Sequence, residues 1–151
     1  MPESIIPDTS CLIFLGKIGE VQLLKSLYSQ TLITEEVANE YGYSIPEWMS
    51  IQSPKDQSYL GVLKRSVNQG EASIMVLALE TKNSIVSIDY RKARKKAGEM
   101  GVKVTGTLGI IYRAKQAGLI NSVKQKIAAL KRVNFRISSD IEDEMLRLAG
   151  E

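Results

Sequence analysis

Four carboxylates carry the chemistry that this sequence offers. Asp8, Glu40, Glu71 and Asp89 fall where a predicted strand turns into a helix or in the first turns of a helix. The chain contains no histidine, which excludes a Ser-His-Asp triad, an imidazole general base and a His-rich zinc site. Carboxylate oxygens suit hard cations such as Mg²⁺ or Mn²⁺, which lower the pKa of a bound water and clamp a phosphodiester. The residue types therefore favour hydrolysis assisted by a divalent metal.

Alternating strands and helices must position these acids. Short apolar runs predict strands, and apolar residues at helical spacing, capped by polar residues and glycines, predict the helices between them. The predicted strands are 4–7, 31–33, 48–53, 84–88 and 102–104. The predicted helices are 11–16, 21–28, 35–41, 55–67, 69–78, 89–101, 107–117, 122–131 and 138–148. This alternation indicates an α/β fold with a mainly parallel sheet.

The order of elements predicts that the four acids converge. In open parallel sheets, sites form beyond the carboxyl ends of the strands. Asp8 and Asp89 each follow an apolar strand directly, Glu40 lies on the helix after the second strand, and Glu71 opens the helix before the strand of Asp89. Carboxylates gathered in one cleft repel one another and raise their pKa values unless a cation is present. A metal would resolve that conflict.

Each acid taken singly also has a structural explanation. Asp8 and Asp89 could be N-caps, because an aspartate accepts a hydrogen bond from a free backbone N–H. Asn68 and Glu71 have the spacing of a capping box. Glu36 lies in a first helical turn, where negative charge complements the helix dipole. The functional interpretation therefore depends on the four acids occurring together.

Composition limits the class of protein. The 151 residues are 44% hydrophobic and 25% charged, which is typical of a globular chain, and we predict a single domain over residues 1–151. The net charge of +3 permits a nucleic-acid partner without requiring one. Cys11 is the only cysteine, so no intramolecular disulfide can form. The N-terminus does not resemble a signal peptide and the apolar runs are too short to span a bilayer, so we expect a cytoplasmic protein.

The order and spacing of four short segments resemble those of the PIN-domain ribonucleases, a family that includes the toxins of many prokaryotic toxin–antitoxin pairs. The segments are 5–10 (IIPDTS), 37–40 (VANE), 70–72 (GEA) and 87–89 (SID). Ala93-Arg94 together with the segment 106–109 (GTLG) resembles one branch of PIN-like proteins. The resemblance extends over roughly residues 5–119.

The resemblance implies a PIN-like three-layer α/β/α fold and a metal-dependent endoribonuclease. By matching the family's motif, Asp8, Glu71 and Asp89 would ligate or orient Mg²⁺ or Mn²⁺, and Glu40 would be the remaining catalytic acid, acting through a water. Glu36 shares a helix face with Glu40, which leaves two candidates for the second acid. We favour Glu40, because the helix dipole explains Glu36.

Polar residues beside the acids extend the expected site. Ser10 resembles a residue that supports the site and contacts RNA, and Thr107 resembles another supporting residue. Members of this branch often carry a second acid after the one that matches Asp89, whereas this chain has Tyr90. Whether one metal binds or two is therefore open. Tyr90 could stack on a base or cap the cleft.

A basic run follows Asp89 directly. Arg91, Lys92 and Lys95 are either a solvated helix face or contacts to RNA phosphates, which position a strand without reading its sequence. Arg94 is expected to face back into the fold. The segment 106–109 could bind phosphate at a helix N-terminus or form a simple turn. An aspartyl-phosphate phosphatase would usually have a second Asp two residues after Asp8, a place taken by Ser10.

The predicted function is hydrolysis of RNA phosphodiester bonds by a divalent-metal-dependent endoribonuclease, with the toxin of a toxin–antitoxin pair as one form of it. The alternative is a non-catalytic PIN-like RNA-binding or protein-interaction module. Expected partners are RNA, an antitoxin protein and a second copy of the chain, without a membrane. We expect the homodimer to form around Leu23, Leu27 and Tyr28, and the apolar stripe of the last predicted helix to fold back on the sheet.

Overall fold

A computed structural model describes residues 4–151. Residues 1–3, on which part of the signal-peptide prediction rested, lie outside this range. The strands are β1 (Ser4–Pro7), β2 (Gln30–Ile33), β3 (Met49–Ile51), β4 (Ser84–Ser87) and β5 (Val104–Thr105). The helices are α1 (Thr9–Lys17), α2 (Gln22–Leu27), α3 (Glu35–Tyr41), α4 (Gln57–Leu63), α5 (Gln69–Leu79), α6 (Arg91–Glu99), α7 (Thr107–Gln116), α8 (Val123–Arg132) and α9 (Ser139–Leu148).

The strands form one parallel sheet in the order β3-β2-β1-β4-β5. Helices flank the sheet, and the predicted three-layer α/β/α fold is confirmed. Parallel strands covered on both faces read as continuous apolar runs, and Ile5, Ile6 and Val86 are accordingly fully buried. The strand order reverses beside β1, because β2 and β3 lie on one side of it and β4 and β5 on the other.

Helix α5 lies in the centre of the molecule. All residues from Gly70 to Ala78 are buried, since a helix that is apolar all round must be enclosed by its neighbours. It packs against α3, α4, β1 and β4. A capping box between Asn68 and Glu71 fixes where it begins, as the sequence predicts.

One prediction about apolar helix faces is wrong, and a second holds only for part of the face. Leu23, Leu27 and Tyr28, the expected dimer contacts, are 6%, 8% and 5% exposed, because α2 packs on α7 within the same chain. In α9, Ile141 and Leu148 are 50% and 49% exposed, whereas Ile137 and Met145 of the same stripe pack against the core. The main contact of α9 is with α8.

No helix within residues 4–151 combines the length and apolarity that crossing a membrane would require.

Candidate active site

Neighbouring strands bring Asp8 and Asp89 together. β1 and β4 pair with Pro7 opposite Ser87, so the residues that follow them leave the sheet at the same edge. The Asp8 N–H donates to the Ser87 carbonyl at 2.9 Å. Because the strand order reverses here, this edge is the topological switch point at which open α/β sheets form their binding crevice.

The side chain of Asp8 caps α1 and also faces the other acids. The Cys11 N–H donates to Asp8 Oδ1 at 2.8 Å, which confirms the N-cap. Asp8 is 5% exposed. Burial is the main reason that the pKa of Asp8 rises to about 7; the bond from Cys11 opposes the rise, and the charges of Asp89 and Glu71 add to it. The cap therefore carries a carboxylate whose ionised form is disfavoured.

Three hydrogen bonds hold the Asp89 carboxylate. The Thr107 hydroxyl donates to Oδ2 at 2.6 Å, the Thr107 N–H donates to Oδ1 at 2.7 Å, and the Ser10 hydroxyl donates to Oδ2 at 3.4 Å. The N-cap interpretation of Asp89 is wrong, because α6 begins after Tyr90, whose side chain makes no capping bond. Asp89 instead binds the first residue of α7, and both residues predicted to support the site contact it.

Gly106, directly before α7, has Asp89 and Arg94 so close that there is no room for a side chain. A Cβ at this position would lie 2.8 Å from Arg94 Nη1 and 2.9 Å from Asp89 Oδ1. Its φ of −145° is ordinary extended backbone, so close approach is the reason for glycine. Arg94 Nη1 donates to the Ile88 carbonyl at 2.8 Å, so the guanidinium group contacts the fold as predicted, although the residue as a whole is exposed.

Glu71 is held by the capping box at the start of α5. The Glu71 N–H donates to Asn68 Oδ1 at 2.8 Å, and the Asn68 N–H donates to Glu71 Oε1 at 3.3 Å. Glu71 is 7% exposed. Burial raises the pKa of Glu71, the bond from Asn68 lowers it, and the charge of Glu40 raises it. Glu71, like Asp8, is therefore both a helix cap and a candidate metal ligand.

Glu40 reaches the same place from α3. It lies near the C-terminal end of that helix, not in the first turns as expected. The residue as a whole is exposed, but a Cβ on Gly70 would overlap Glu40 Oε1, so the carboxylate rests directly on the start of α5. Burial raises the pKa of Glu40, and the charge of Glu36 raises it further. Of the two candidate acids on α3, only Glu40 lines the cleft.

The comparison with family models decides the class of fold around this site. The model of the PIN domain matches residues 4–151. The chain belongs to the PIN-domain family. Among curated proteins and solved structures, none matches the chain. PIN domains are generally nucleases, and they typically use divalent metals.

The acid cleft of this PIN domain is open to solvent and has a volume of about 310 Å³. Asp8, Glu40 and Glu71 line it, together with Ser10 and Tyr90. Asp89 is not among the lining residues, but it accepts a hydrogen bond from the Ser10 hydroxyl, which lines the cleft. Three of the four predicted acids therefore face one cleft, and the fourth supports it from the sheet edge.

The donors in the PIN domain suit a hard divalent cation. They are all carboxylate oxygens. Burial first, and then the charges of Asp89 and Glu71, raise the pKa of Asp8, and a bound cation would favour its ionised form. Within residues 4–151, no three Asp, Glu, Cys or His side chains are grouped closely enough to hold a metal as they stand. The chemistry fits, and binding would require the carboxylates to turn toward a common point.

The predicted RNA contacts lie beside the cleft on α6. Arg91, Lys92 and Lys95 are exposed there. Lys92 and Tyr90 also line a second depression, together with Arg65. The sequence indicates no functional role for Arg65, because it lies near the end of the predicted helix 55–67 and in no matched motif; the structure places it just after α4, which ends at Leu63. Gly70 belongs to a segment that resembles the family, but only the structure shows why a glycine suits this position: a Cβ there would overlap the Glu40 carboxylate.

Proposed function

We propose that this PIN domain is a divalent-metal-dependent endoribonuclease that hydrolyses RNA phosphodiester bonds. One observation carries the proposal: acids from four separate parts of the chain meet at the switch point of the sheet, three of them in one open cleft. Two of these acids, Asp8 and Glu71, are buried, and burial raises the pKa of both; acids with shifted pKa values in a cleft are typical of functional sites.

We assign the roles as follows. Asp8, Glu71 and Asp89 would hold Mg²⁺ or Mn²⁺, which when bound supplies an acidified water and neutralises charge on the scissile phosphate. Glu40, on the more exposed wall of the cleft, would accept a hydrogen bond from the attacking water. Thr107 would fix the orientation of the Asp89 carboxylate, since it donates to both carboxylate oxygens.

RNA is the substrate that the surroundings favour. Arg91, Lys92 and Lys95 follow Asp89 on an exposed helix face, and Lys and Arg beside a cleft supply phosphate contacts. The Ser10 hydroxyl lines the acid cleft, where it could also contact a ribose or phosphate. Tyr90 is 63% exposed and offers an aromatic face to an unstacked base of a single strand.

Cleavage of a mixed-sequence single-stranded RNA in Mn²⁺ tests the proposal. Wild type should cleave, and Asp8→Asn, Asp89→Asn and Glu40→Gln should each lose most of the activity while keeping a folded circular-dichroism spectrum. Glu36→Gln is the matched control, because it removes the same charge from the same helix outside the cleft; it should stay active. Near wild-type cleavage by Asp8→Asn or Asp89→Asn would sink the assignment. RNA binding without cleavage by wild type would favour the non-catalytic module.

Two finer proposals concern partners. We propose that the protein forms a homodimer and that an antitoxin binds it, both on the strength of the family resemblance. Light scattering at micromolar concentration should give twice the mass of the chain, and a monomer mass would contradict the dimer. A gene adjacent to this one that encodes a small protein able to block cleavage would support the antitoxin.

A further inference from the structure

A second depression continues the acid cleft. It has a volume of about 270 Å³ and shares Asn68, Glu71 and Tyr90 with the acid cleft. The two depressions therefore form one groove, in which Tyr90 stands at the junction. We call the second depression the basic arm, and its other lining residues include Arg65, Ser66 and Lys92.

The charge of the groove changes sign along its length. Three acids line the acid cleft, whereas Arg65 and Lys92 reach the basic arm from two different elements. Arg65 follows α4, and Lys92 lies in the first turn of α6. Within residues 4–151, neither of these cations forms a salt bridge. Both are exposed, so they are available to a ligand.

The junction residue is aromatic and exposed. Tyr90 is 63% exposed and precedes α6 without making a capping bond. Its ring therefore has no evident structural task at this position. An aromatic face beside paired cations is the arrangement with which proteins bind a single-stranded nucleic acid, because bases stack on the ring while phosphates meet the cations.

We propose that the basic arm is a subsite for the nucleotide next to the scissile phosphate of a single-stranded RNA. Arg65 and Lys92 bind its phosphate, and Tyr90 stacks on its base. This inference rests on the proposed function for the identity of the strand. It adds Arg65, which no motif marks, as a positioning residue, and it gives the groove a direction, with cleavage at one end and phosphate capture at the other.

Binding can be measured separately from cleavage. The background is Asp8→Asn combined with Asp89→Asn, which removes two charges from the site, and the buffer contains EDTA. The probe is a fluorescent eight-nucleotide single-stranded RNA followed by anisotropy. In this background, Arg65→Ala should weaken binding about tenfold and should flatten the log–log salt dependence by roughly 0.7, the slope expected for one lost phosphate contact. Arg65→Lys should restore the slope.

Tyr90 should give a different signature. Tyr90→Leu should weaken binding about tenfold through lost stacking and leave the salt slope unchanged. An RNA in which one abasic position is moved along the strand should lose affinity at a single position, and that loss should disappear in Tyr90→Leu. Tyr43→Ala, which removes an exposed tyrosine elsewhere (71% exposed), is the control and should bind normally.

Lys64→Ala is the control for Arg65, because it removes an exposed charge one residue away that lines neither depression. Equal RNA affinity of Arg65→Ala and Lys64→Ala would overturn the subsite. So would an Arg65→Ala variant that loses affinity only for an acidic polypeptide such as polyglutamate, since the basic arm would then bind protein. If wild type fails to cleave RNA but the Arg65 and Tyr90 effects appear, the proposed function fails, and the basic arm stands as a binding site for single-stranded RNA.

Discussion

At the scale of single residues, the candidate ligands also have structural roles. Asp8 caps α1 through Cys11, and Glu71 closes the capping box with Asn68. A cap tolerates a neutral amide, because asparagine also accepts from a backbone N–H. A metal site requires the charge. Substitution by the matching amide therefore separates the two roles.

The first prediction concerns the stability of the metal-free protein. Burial raises the pKa of Asp8 to about 7 from 3.8, so the folded state holds a proton that the unfolded chain releases. Wild type therefore loses stability as pH rises from about 4 to about 7, after which the loss is constant. Asp8→Asn keeps the cap and should be more stable near pH 8 by at most about 4 kcal/mol.

Urea denaturation in EDTA at several pH values measures this difference. The advantage of Asp8→Asn should shrink as pH falls towards about 4. Asp56→Asn is the control, because Asp56 caps α4 through the Tyr59 N–H but is exposed; it should show no such gain. An Asp8→Asn variant no more stable than wild type at pH 8 would contradict the buried-charge explanation.

The second prediction concerns Gly70. A Cβ there would overlap Glu40 Oε1, and Glu40 is a flexible side chain that can move away at little cost. Alanine also favours the helix by up to about 1 kcal/mol over glycine. Gly70→Ala should therefore stay as stable as wild type but lose RNA cleavage, because the Glu40 carboxylate is displaced. Gly61→Ala, in α4 with nothing near its Cβ, should keep full activity. Equal activity of the two variants would show that the position of Glu40 is unimportant.

At the scale of elements, patterns in the sequence predict where helices and strands lie better than which surfaces they bury. The β-branched run of β4 and the caps Thr34 and Asn68 are local signals, and the structure confirms all three. Helical spacing also identifies the apolar faces of α2 and α9. Helical spacing does not show which element covers an apolar face. Leu23, expected at a dimer interface, is therefore buried within the chain, and Ile141, expected to pack on the sheet, is exposed.

The same limit applies to the site. The acids could be predicted because each adjoins a strand end or a cap, and strand order then brings them together. The contacts of Thr107 with Asp89, and of Glu40 with Gly70, join residues far apart in the chain. Only packing determines such contacts. Arg65 could not have been found from its own neighbours in the sequence.

The third prediction concerns how α8 and α9 are joined. Glu151 accepts hydrogen bonds from Lys115 Nζ, the Ser122 hydroxyl and the N–H groups of Val123 and Lys124, which ties the chain after α9 to the start of α8. Burial opposes ionisation, but these bonds outweigh it and lower the pKa of Glu151 to about 2. Glu151→Gln should speed hydrogen exchange in the first turn of α8.

This contribution should be present in wild type above about pH 4.5 and lost as pH falls towards about 2, because the folded-state pKa is lowered. Exchange measured by mass spectrometry at neutral pH, with Glu144→Gln on the exposed face of α9 as control, checks it. Equal protection in the two variants would mean that α9 is held by packing alone.

At the scale of the whole molecule, the distribution of charge matters more than its total. The net charge is only +3, yet acids gather in the cleft and Arg91, Lys92 and Lys95 follow on α6. The electrostatic field therefore changes sign over a short distance at one edge of the sheet. The basic residues of α6 would attract the phosphates of an RNA strand, whereas the acids of the cleft would repel phosphate until a bound cation neutralises their charge.

The last prediction tests that approach. Changing Arg91, Lys92 and Lys95 together to Ala should weaken RNA binding and flatten the log–log salt slope by roughly 2, about 0.7 for each lost contact to a single strand. The cleavage pattern should stay the same, because phosphate contacts carry no sequence information. The control changes Lys25, Lys82 and Lys103 to Ala: these exposed residues precede β2, β4 and β5 and so lie toward the opposite, amino edge of the sheet. It alters the net charge equally and should leave the slope almost unchanged. Equal slopes for the two triple variants would mean that RNA responds only to total charge and that the basic run on α6 is a solvated surface.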